Sequence, residues 1–124
     1  MDVVRADLQD AVLRGAQMRN ANLAGANLRG ADLQGAVLEG ANLQGADLQG
    51  AVLRGVQMKG AKLKGATLRG ADLQGVVLEG ATLRGAHLPG AKLERANLRR
   101  AHLEGANVHR PVGGQGPVSF SGGR

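Results

Sequence analysis

The sequence repeats a five-residue unit without interruption along almost its whole length. Ala or Val occupies every fifth position from Ala6 to Ala106, and Leu, Met or Val follows two residues later, from Leu8 to Val108. On an α-helix, a step of five residues rotates successive leucines by about 140°, so they form no apolar face. A straight strand alternates its side chains with a period of two, so an odd repeat sends successive leucines to opposite faces. The repeat therefore predicts a chain that turns a corner once per unit, with Ala and Leu inside and Gly at the bend.

A longer repeat indicates how many units close one coil. Residues 6–45 and 46–85 align over 40 positions, and "ADLQDAVLRG" in the first is matched by "ADLQGAVLRG" in the second. Forty residues are eight units, which make two coils of four units but not a whole number of coils of three. Parallel β connections are right-handed in general. The sequence therefore predicts an all-β, right-handed square solenoid of five to six coils over residues 1–110, with about 20 residues in each coil.

The residue after the central Leu carries charges of alternating sign in every fourth unit: Arg19, Glu39, Lys59, Glu79 and Arg99. Stacked coils lie about 4.8 Å apart, so we expect a ladder of opposite charges up one wall. Exposed pairs contribute only about 0 to 1 kcal/mol each. The larger expected role of the ladder is to oppose a slip of one coil, because a slip places like charges opposite each other.

The units "ADLQD", "ANLAG", "ANLRG" and "ADLQG" resemble those of the pentapeptide repeat protein family, and the resemblance covers most of the chain. It implies a right-handed quadrilateral parallel β-helix with the Leu and the preceding Ala inside, and it implies no shared catalytic residues. Some members bind bacterial DNA gyrase or topoisomerase by imitating DNA and confer quinolone resistance. This chain differs from those members because it lacks their acidic surface, an interrupting loop and an aromatic-rich dimer segment.

The composition limits the chemistry that this chain can perform. It has no Cys, so it has no disulfide, thiolate nucleophile or Cys-ligated metal. The Asp and His side chains fall at outward positions on flat walls, whereas a metal site needs three or four converging ligands. We therefore expect no catalytic residue, metal or cofactor, and no enzyme. No apolar run approaches the roughly 20 residues of a membrane span and no signal peptide is visible, so we expect no membrane partner and a cytoplasmic location.

Two surface features are candidate interaction sites. The first is a set of outward valines on two adjoining walls, which are either ordinary strand formers or a stripe for a partner: Val12, Val37, Val52 and Val77. The second is a charge asymmetry, because residues 1–50 hold four Lys/Arg and six Asp/Glu while residues 51–124 hold twelve and four. This asymmetry favours an acidic partner or nucleic acid, although the repeats contain no aromatic side chain for base stacking. The candidate basic residues are Lys62, Lys64, Arg95, Arg99 and Arg100.

After Arg110 the period is lost in "PVGGQGPVSFSGGR", residues 111–124. This Gly- and Pro-rich composition predicts a flexible tail, and the alternative is a cap in which Val118 or Phe120 covers the last coil.

The leading functional hypothesis is a non-enzymatic, rigid structural or protein-interaction scaffold, with homo-oligomers formed through uncapped coil ends. The alternatives are a DNA-mimic binder of DNA gyrase or topoisomerase, and a binder of nucleic acid or an acidic partner through the basic C-terminal half.

Overall fold

The computed structural model describes residues 1–107, whose backbone forms a right-handed quadrilateral β-helix. Each unit contributes one residue to a parallel bridge with the residue 20 positions on, from Asp2↔Asn22 to His87↔Asn107. Within residues 1–107 these single-residue bridges take the place of helices and longer strands. The spacing of 20 confirms four units per coil, and the described residues make a little over five coils. The tail at 111–124 lies outside the described residues, so its role as a flexible segment or cap stays a prediction.

We number the positions of a unit from the Ala, first, to the Gly, fifth, and we define four walls by their bridged second positions. Wall 1 contains Asp2, Asn22, Asn42, Lys62, Thr82 and His102. Wall 2 contains Asp7, Asn27, Asp47, Thr67, His87 and Asn107. Wall 3 contains Val12, Asp32, Val52, Asp72 and Lys92, and wall 4 contains Gln17, Val37, Gln57, Val77 and Asn97. Residues 1–10 form a half coil, followed by coil 1 (11–30), coil 2 (31–50), coil 3 (51–70), coil 4 (71–90) and the start of a fifth coil (91–107).

Backbone hydrogen bonds join each unit to the coils on both sides. In the unit at 41–45, the first N–H donates to the Leu38 carbonyl at 3.0 Å and closes a turn. The second N–H donates to Ala21 of the preceding coil at 2.9 Å, and the third and fifth donate to the following coil at 2.7 and 2.9 Å. Only the fourth N–H in this unit has no backbone acceptor. Three of the five backbone N–H groups of the unit thus bond to the neighbouring coils, and a fourth closes the turn.

The corner of each unit is a turn that needs a left-handed residue. In residues 1–107 the fifth residue of every unit has a positive φ, between 57° and 73°, as position i+2 of a type II turn requires. Pro89 precedes Gly90, the favoured pair for the two central residues of this turn. Most corners are Gly, and those that are not lie near the two ends: Arg5, Asp10, Asn20, Arg95 and Arg100. Coils 2 to 4 therefore contain only unstrained corners.

The interior of the coils is built from the first and third positions. The Leu and Met side chains of coils 2 and 3 are at most 1% exposed, and the alanines between them are equally buried. Every buried residue among those described is apolar. Leu8 and Leu13 at one end, and Leu93 and Leu103 at the other, are only partly buried against this core. Repetition of Leu and Ala thus supplies the buried area for which other small domains use aromatic rings.

We expect the corner conformation alone to decide the cost of replacing a corner glycine. A Cβ at Gly55 meets nothing within 4 Å, and its φ is +66°, so Gly55→Ala should lower the free energy of unfolding by about 1 kcal/mol through backbone strain. Arg95 has a φ of 60°, so Arg95→Gly should raise the free energy of unfolding by a similar amount. Urea unfolding of both variants measures the two effects. Two changes of the same sign would contradict this account of the corner.

Candidate interaction surface

Asp and Asn recur at the second position of the unit because their side chains accept a hydrogen bond from a backbone N–H of the same unit. Nine Asp and Asn side chains at this position accept a hydrogen bond from the fourth N–H of their own unit, at 3.0 to 3.3 Å. This is the N–H that the backbone leaves without an acceptor, and the contact is a local Asx turn. Pro89 lacks that N–H, and His87 stands at the second position of its unit. Sequence reasoning noted the Ala-(Asp/Asn)-Leu pattern but missed this cause.

Arginine–carboxylate pairs join successive coils along the walls. In each pair an arginine at a fourth position meets a carboxylate of the next coil, at either the second or the fourth position. The pairs are Arg14–Asp32, Arg19–Glu39 at 3.0 Å, Arg29–Asp47 at 2.9 Å, Arg54–Asp72 and Arg84–Glu104 at 3.4 Å. Coil 1 holds three arginines and no acid, while coil 2 holds three acids and no base. All six of these side chains are therefore paired one to one.

Two of these carboxylates form the most densely bonded polar groups on wall 3. Asp32 accepts hydrogen bonds from Arg14 and from both the backbone and side-chain N–H of Gln34. The bond from Arg14 is the main cause that lowers the pKa of Asp32, and Gln34 adds to it. Asp72, two coils further along the same wall, has equivalent partners. Its partial burial is the largest single influence and raises its pKa, but the bonds from its arginine and glutamine together outweigh burial and lower it.

The structure places the five residues of the expected charge ladder in one column of fourth positions on wall 4. Backbone bonds hold the column together, since the N–H of Gly60 donates to the carbonyl of Glu79 at 2.9 Å. Arg19 and Glu39 form an ion pair at 3.0 Å. Within residues 1–107, no ion pair within 4 Å joins the later members, which are Lys59, Glu79 and Arg99. Their role in coil register stays a prediction.

The candidate valines do not form a continuous apolar stripe. Val12 is 78% exposed, Val37 is only 8% exposed, and Val52 and Val77 are half-buried. On each wall a polar residue stands between successive valines, as Asp32 does between Val12 and Val52. The interpretation of Val37 as part of an exposed surface is wrong, because this side chain belongs to the buried set.

The candidate basic residues lie on different walls. Lys62 and Lys64 are the second and fourth residues of one unit on wall 1, and both are exposed. Arg95 and Arg100 occupy corners, and Arg99 lies on wall 4. The structure therefore places the two lysines together on wall 1 and, two coils away, Arg99 beside Arg100 at the end of wall 4. In residues 1–107, no group of three or more His, Cys, Asp or Glu is placed to hold a metal ion, and no helix has the length and apolarity to cross a membrane.

We expect the paired carboxylates of wall 3 to give the fold part of its acid sensitivity. Folding lowers the pKa of Asp32 and Asp72 below the ordinary value of 3.8, so their stabilisation is complete above that pH and is lost as the pH falls through the folded values. The double variant Asp32→Asn, Asp72→Asn should therefore unfold with a smaller dependence on pH below about pH 4.

Chemical denaturation at a series of pH values measures this dependence. The matched double variant Arg14→Gln, Arg54→Gln retains both carboxylates, and its free energy of unfolding should show the same reduced dependence on pH. An unchanged pH dependence in both variants would contradict the role of these pairs.

Comparison with known proteins places this repeat in a family. A family model described as pentapeptide repeats, with eight copies, matches residues 4–40, 31–70 and 77–110. A search of curated proteins gave no match.

Solved structures with the same repeat are similar to this chain. A pentapeptide repeat protein from the cyanobacterium Cyanothece 51142 is 41% identical over 75% of this chain and 60% of its own, with a TM-score of 0.63. A pentapeptide repeat protein from the Arabidopsis thaliana thylakoid lumen is 33% identical over 72% of this chain and 66% of its own, with a TM-score of 0.50. This chain therefore spans less than two thirds of either protein.

A plasmid-mediated fluoroquinolone resistance protein is 21% identical over 87% of this chain and 65% of its own, with a TM-score of 0.36. At this identity and TM-score the similarity says nothing about the function of this chain. The Arabidopsis protein comes from the thylakoid lumen, so the cytoplasmic location of this chain stays a prediction. The family model matches most of the chain, and the Cyanothece structure is 41% identical over 75% of it, so this chain belongs to the pentapeptide repeat family.

Proposed function

We propose that this chain is a non-enzymatic, rigid protein-interaction scaffold. One observation carries the proposal: all buried residues among those described are apolar, while every charged side chain in residues 1–107 lies on a wall or a corner. A catalytic group needs a partly enclosed site that holds it against a substrate, and side chains on flat walls lack that enclosure. The same walls suit contact with another protein surface, because the backbone bonds between coils fix the spacing of their side chains.

Crosslinking from each wall in turn tests the scaffold function. We would place a photo-crosslinking amino acid in separate variants at one exposed residue per wall, namely Gln44, Arg69, Lys92 and Gln57, and irradiate the expressing cells. A scaffold should give adducts of discrete mass from one wall or from two neighbouring walls. The absence of adducts from all four walls, or the same diffuse adducts from every wall, would contradict the proposal.

We also propose that copies of the chain associate through their coil ends. The side chains of Val3, Leu8 and Leu13 are only partly buried at the end formed by the half coil and coil 1. The N–H groups of Val12 and Gln17 there make no backbone hydrogen bond among the described residues, while the equivalent group of Val52 donates to Ala31 at 2.9 Å. Such an edge of unpaired backbone groups is a template for another chain.

The substitution Val12→Pro separates association from folding. It removes an N–H that has no acceptor among residues 1–107, so we expect it to abolish concentration-dependent association in light scattering while leaving the melting temperature nearly unchanged. The control Val52→Pro removes the hydrogen bond to Ala31 and leaves that carbonyl without its donor, so it should lower the free energy of unfolding by about 1–3 kcal/mol. A wild-type chain that stays monomeric at high concentration would contradict the association.

No observation favours the alternative of DNA mimicry. Three of the carboxylates on coil 2 are paired with arginines of coil 1, and the chain has a net charge of +6. Duplex DNA carries about one negative charge per 1.7 Å, so a mimic requires a surface in which acids are neither paired nor outnumbered.

A further inference from the structure

The middle of the solenoid contains cations that the pairing between coils does not use. Coil 3 holds five Lys/Arg and no acid, and among the residues that the structure describes only Arg54 of these five makes an ion pair within 4 Å. Lys59 makes no ion pair within residues 1–107 but has an acid on either side in its column, Glu39 and Glu79. Arg69 stands alone on wall 2, between Gln49 and Pro89 in its column. Lys62 and Lys64 on wall 1 have no acidic neighbour in the adjoining coils of their own columns. These two lysines therefore carry uncompensated charge on an exposed wall.

Wall 1 is free of acids through coils 2, 3 and 4. We call this surface the basic face; its second and fourth positions are Asn42, Gln44, Lys62, Lys64, Thr82 and Arg84. The acids around the corner in coil 2, Glu39 and Asp47, are already paired with arginines. Arg84 pairs at 3.4 Å with Glu104 of the next coil, and its side chain remains 56% exposed.

We propose that the basic face binds an extended, acidic segment of a protein partner with carboxylates at alternate positions. Lys62 is the bridged residue of its unit, and Lys64 is the first central residue of the turn that follows. The first central residue of a type II turn keeps an extended backbone, so the attachment points of the two lysines lie about 7 Å apart on wall 1. Alternate side chains of an extended peptide have the same spacing and the same direction. A peptide laid across wall 1 alongside this unit therefore brings one carboxylate to each lysine, and Arg84 lies one coil further, about 4.8 Å from Lys64, for a third contact.

The same face is a poor match for nucleic acid. Proteins that bind duplex DNA strongly use about six to ten phosphate contacts, whereas the basic face offers three cations. Single strands are held by bases stacked on aromatic side chains, and residues 1–107 contain no Phe, Tyr or Trp. An acidic protein segment needs only a few carboxylate contacts and no stacking platform.

A matched pair of double variants tests the basic face in the full 124-residue chain. The probe is a fluorescein-labelled peptide of alternating Glu and Thr, and the control peptide has Gln for Glu. At low salt, where exposed charges are least screened, Lys62→Gln with Lys64→Gln should raise the Kd of the acidic peptide about fivefold. Lys92→Gln with Arg99→Gln removes the same charge from walls 3 and 4, and should raise the Kd by less than about twofold.

Three results would overturn the proposal: no binding of the acidic peptide, equal binding of the Gln peptide, or equal weakening by the two double variants. Tighter binding of a DNA duplex that is lost with Lys62 and Lys64 would also overturn it in favour of nucleic acid. Melting curves show whether both variants remain folded, as their exposure predicts.

The inference rests on the proposed scaffold function, but the two can fail separately. Failure to bind the peptide, together with crosslinks from wall 2, 3 or 4, would contradict the proposed role of the basic face but not the scaffold function. The absence of crosslinks from every wall contradicts the scaffold itself.

Discussion

The structure depends on a left-handed corner at every fifth residue. A positive φ at that residue turns the chain, so that the Ala and Leu of every unit point inward although their spacing is odd. The turn also directs the backbone of each unit to the coils above and below, where three of its five N–H groups find acceptors. This conformation costs a non-glycine residue about 1–2 kcal/mol, which explains why Arg, Asp and Asn corners occur only near the ends. A single conformational requirement thus determines the period, the interior and the stacking.

A uniform interior leaves the stacking register to the outer surface. Because each coil presents nearly the same Leu and Ala to its neighbours, the apolar contacts of a slipped chain resemble those of the native one. The charges differ from coil to coil. The three arginines of coil 1 meet the three acids of coil 2, whereas a slip of one coil sets them against the five cations of coil 3. Exposed pairs contribute little individually, but we expect their sum to distinguish two registers that the core does not.

The sequence was sufficient to predict the architecture because the backbone needs particular residue types at fixed positions. These needs are visible as the five-residue period and as the long repeat that spans two coils. The sequence predicted the column from Arg19 to Arg99 for the same reason. It was not sufficient for side-chain contacts, which depend on how far a flexible chain reaches. The arginines of wall 3 pair with the second-position Asp of the next coil, and not with the fourth-position residue of their own column. Burial of Val37 likewise depends on its neighbours, and alternation alone predicts an outward side chain.

The direction of the arginine–carboxylate pairs explains why one coil carries unpaired charge. In all five pairs the arginine lies in the earlier coil and the acid in the later one. The acids of coil 2 are therefore engaged by coil 1 and do not pair with the cations of coil 3 on their other side. Coil 4 offers only Asp72 and Glu79 in return, on walls 3 and 4. Wall 1 of coil 3 thus has cations but no acid in either direction, so Lys62 and Lys64 remain available to a partner.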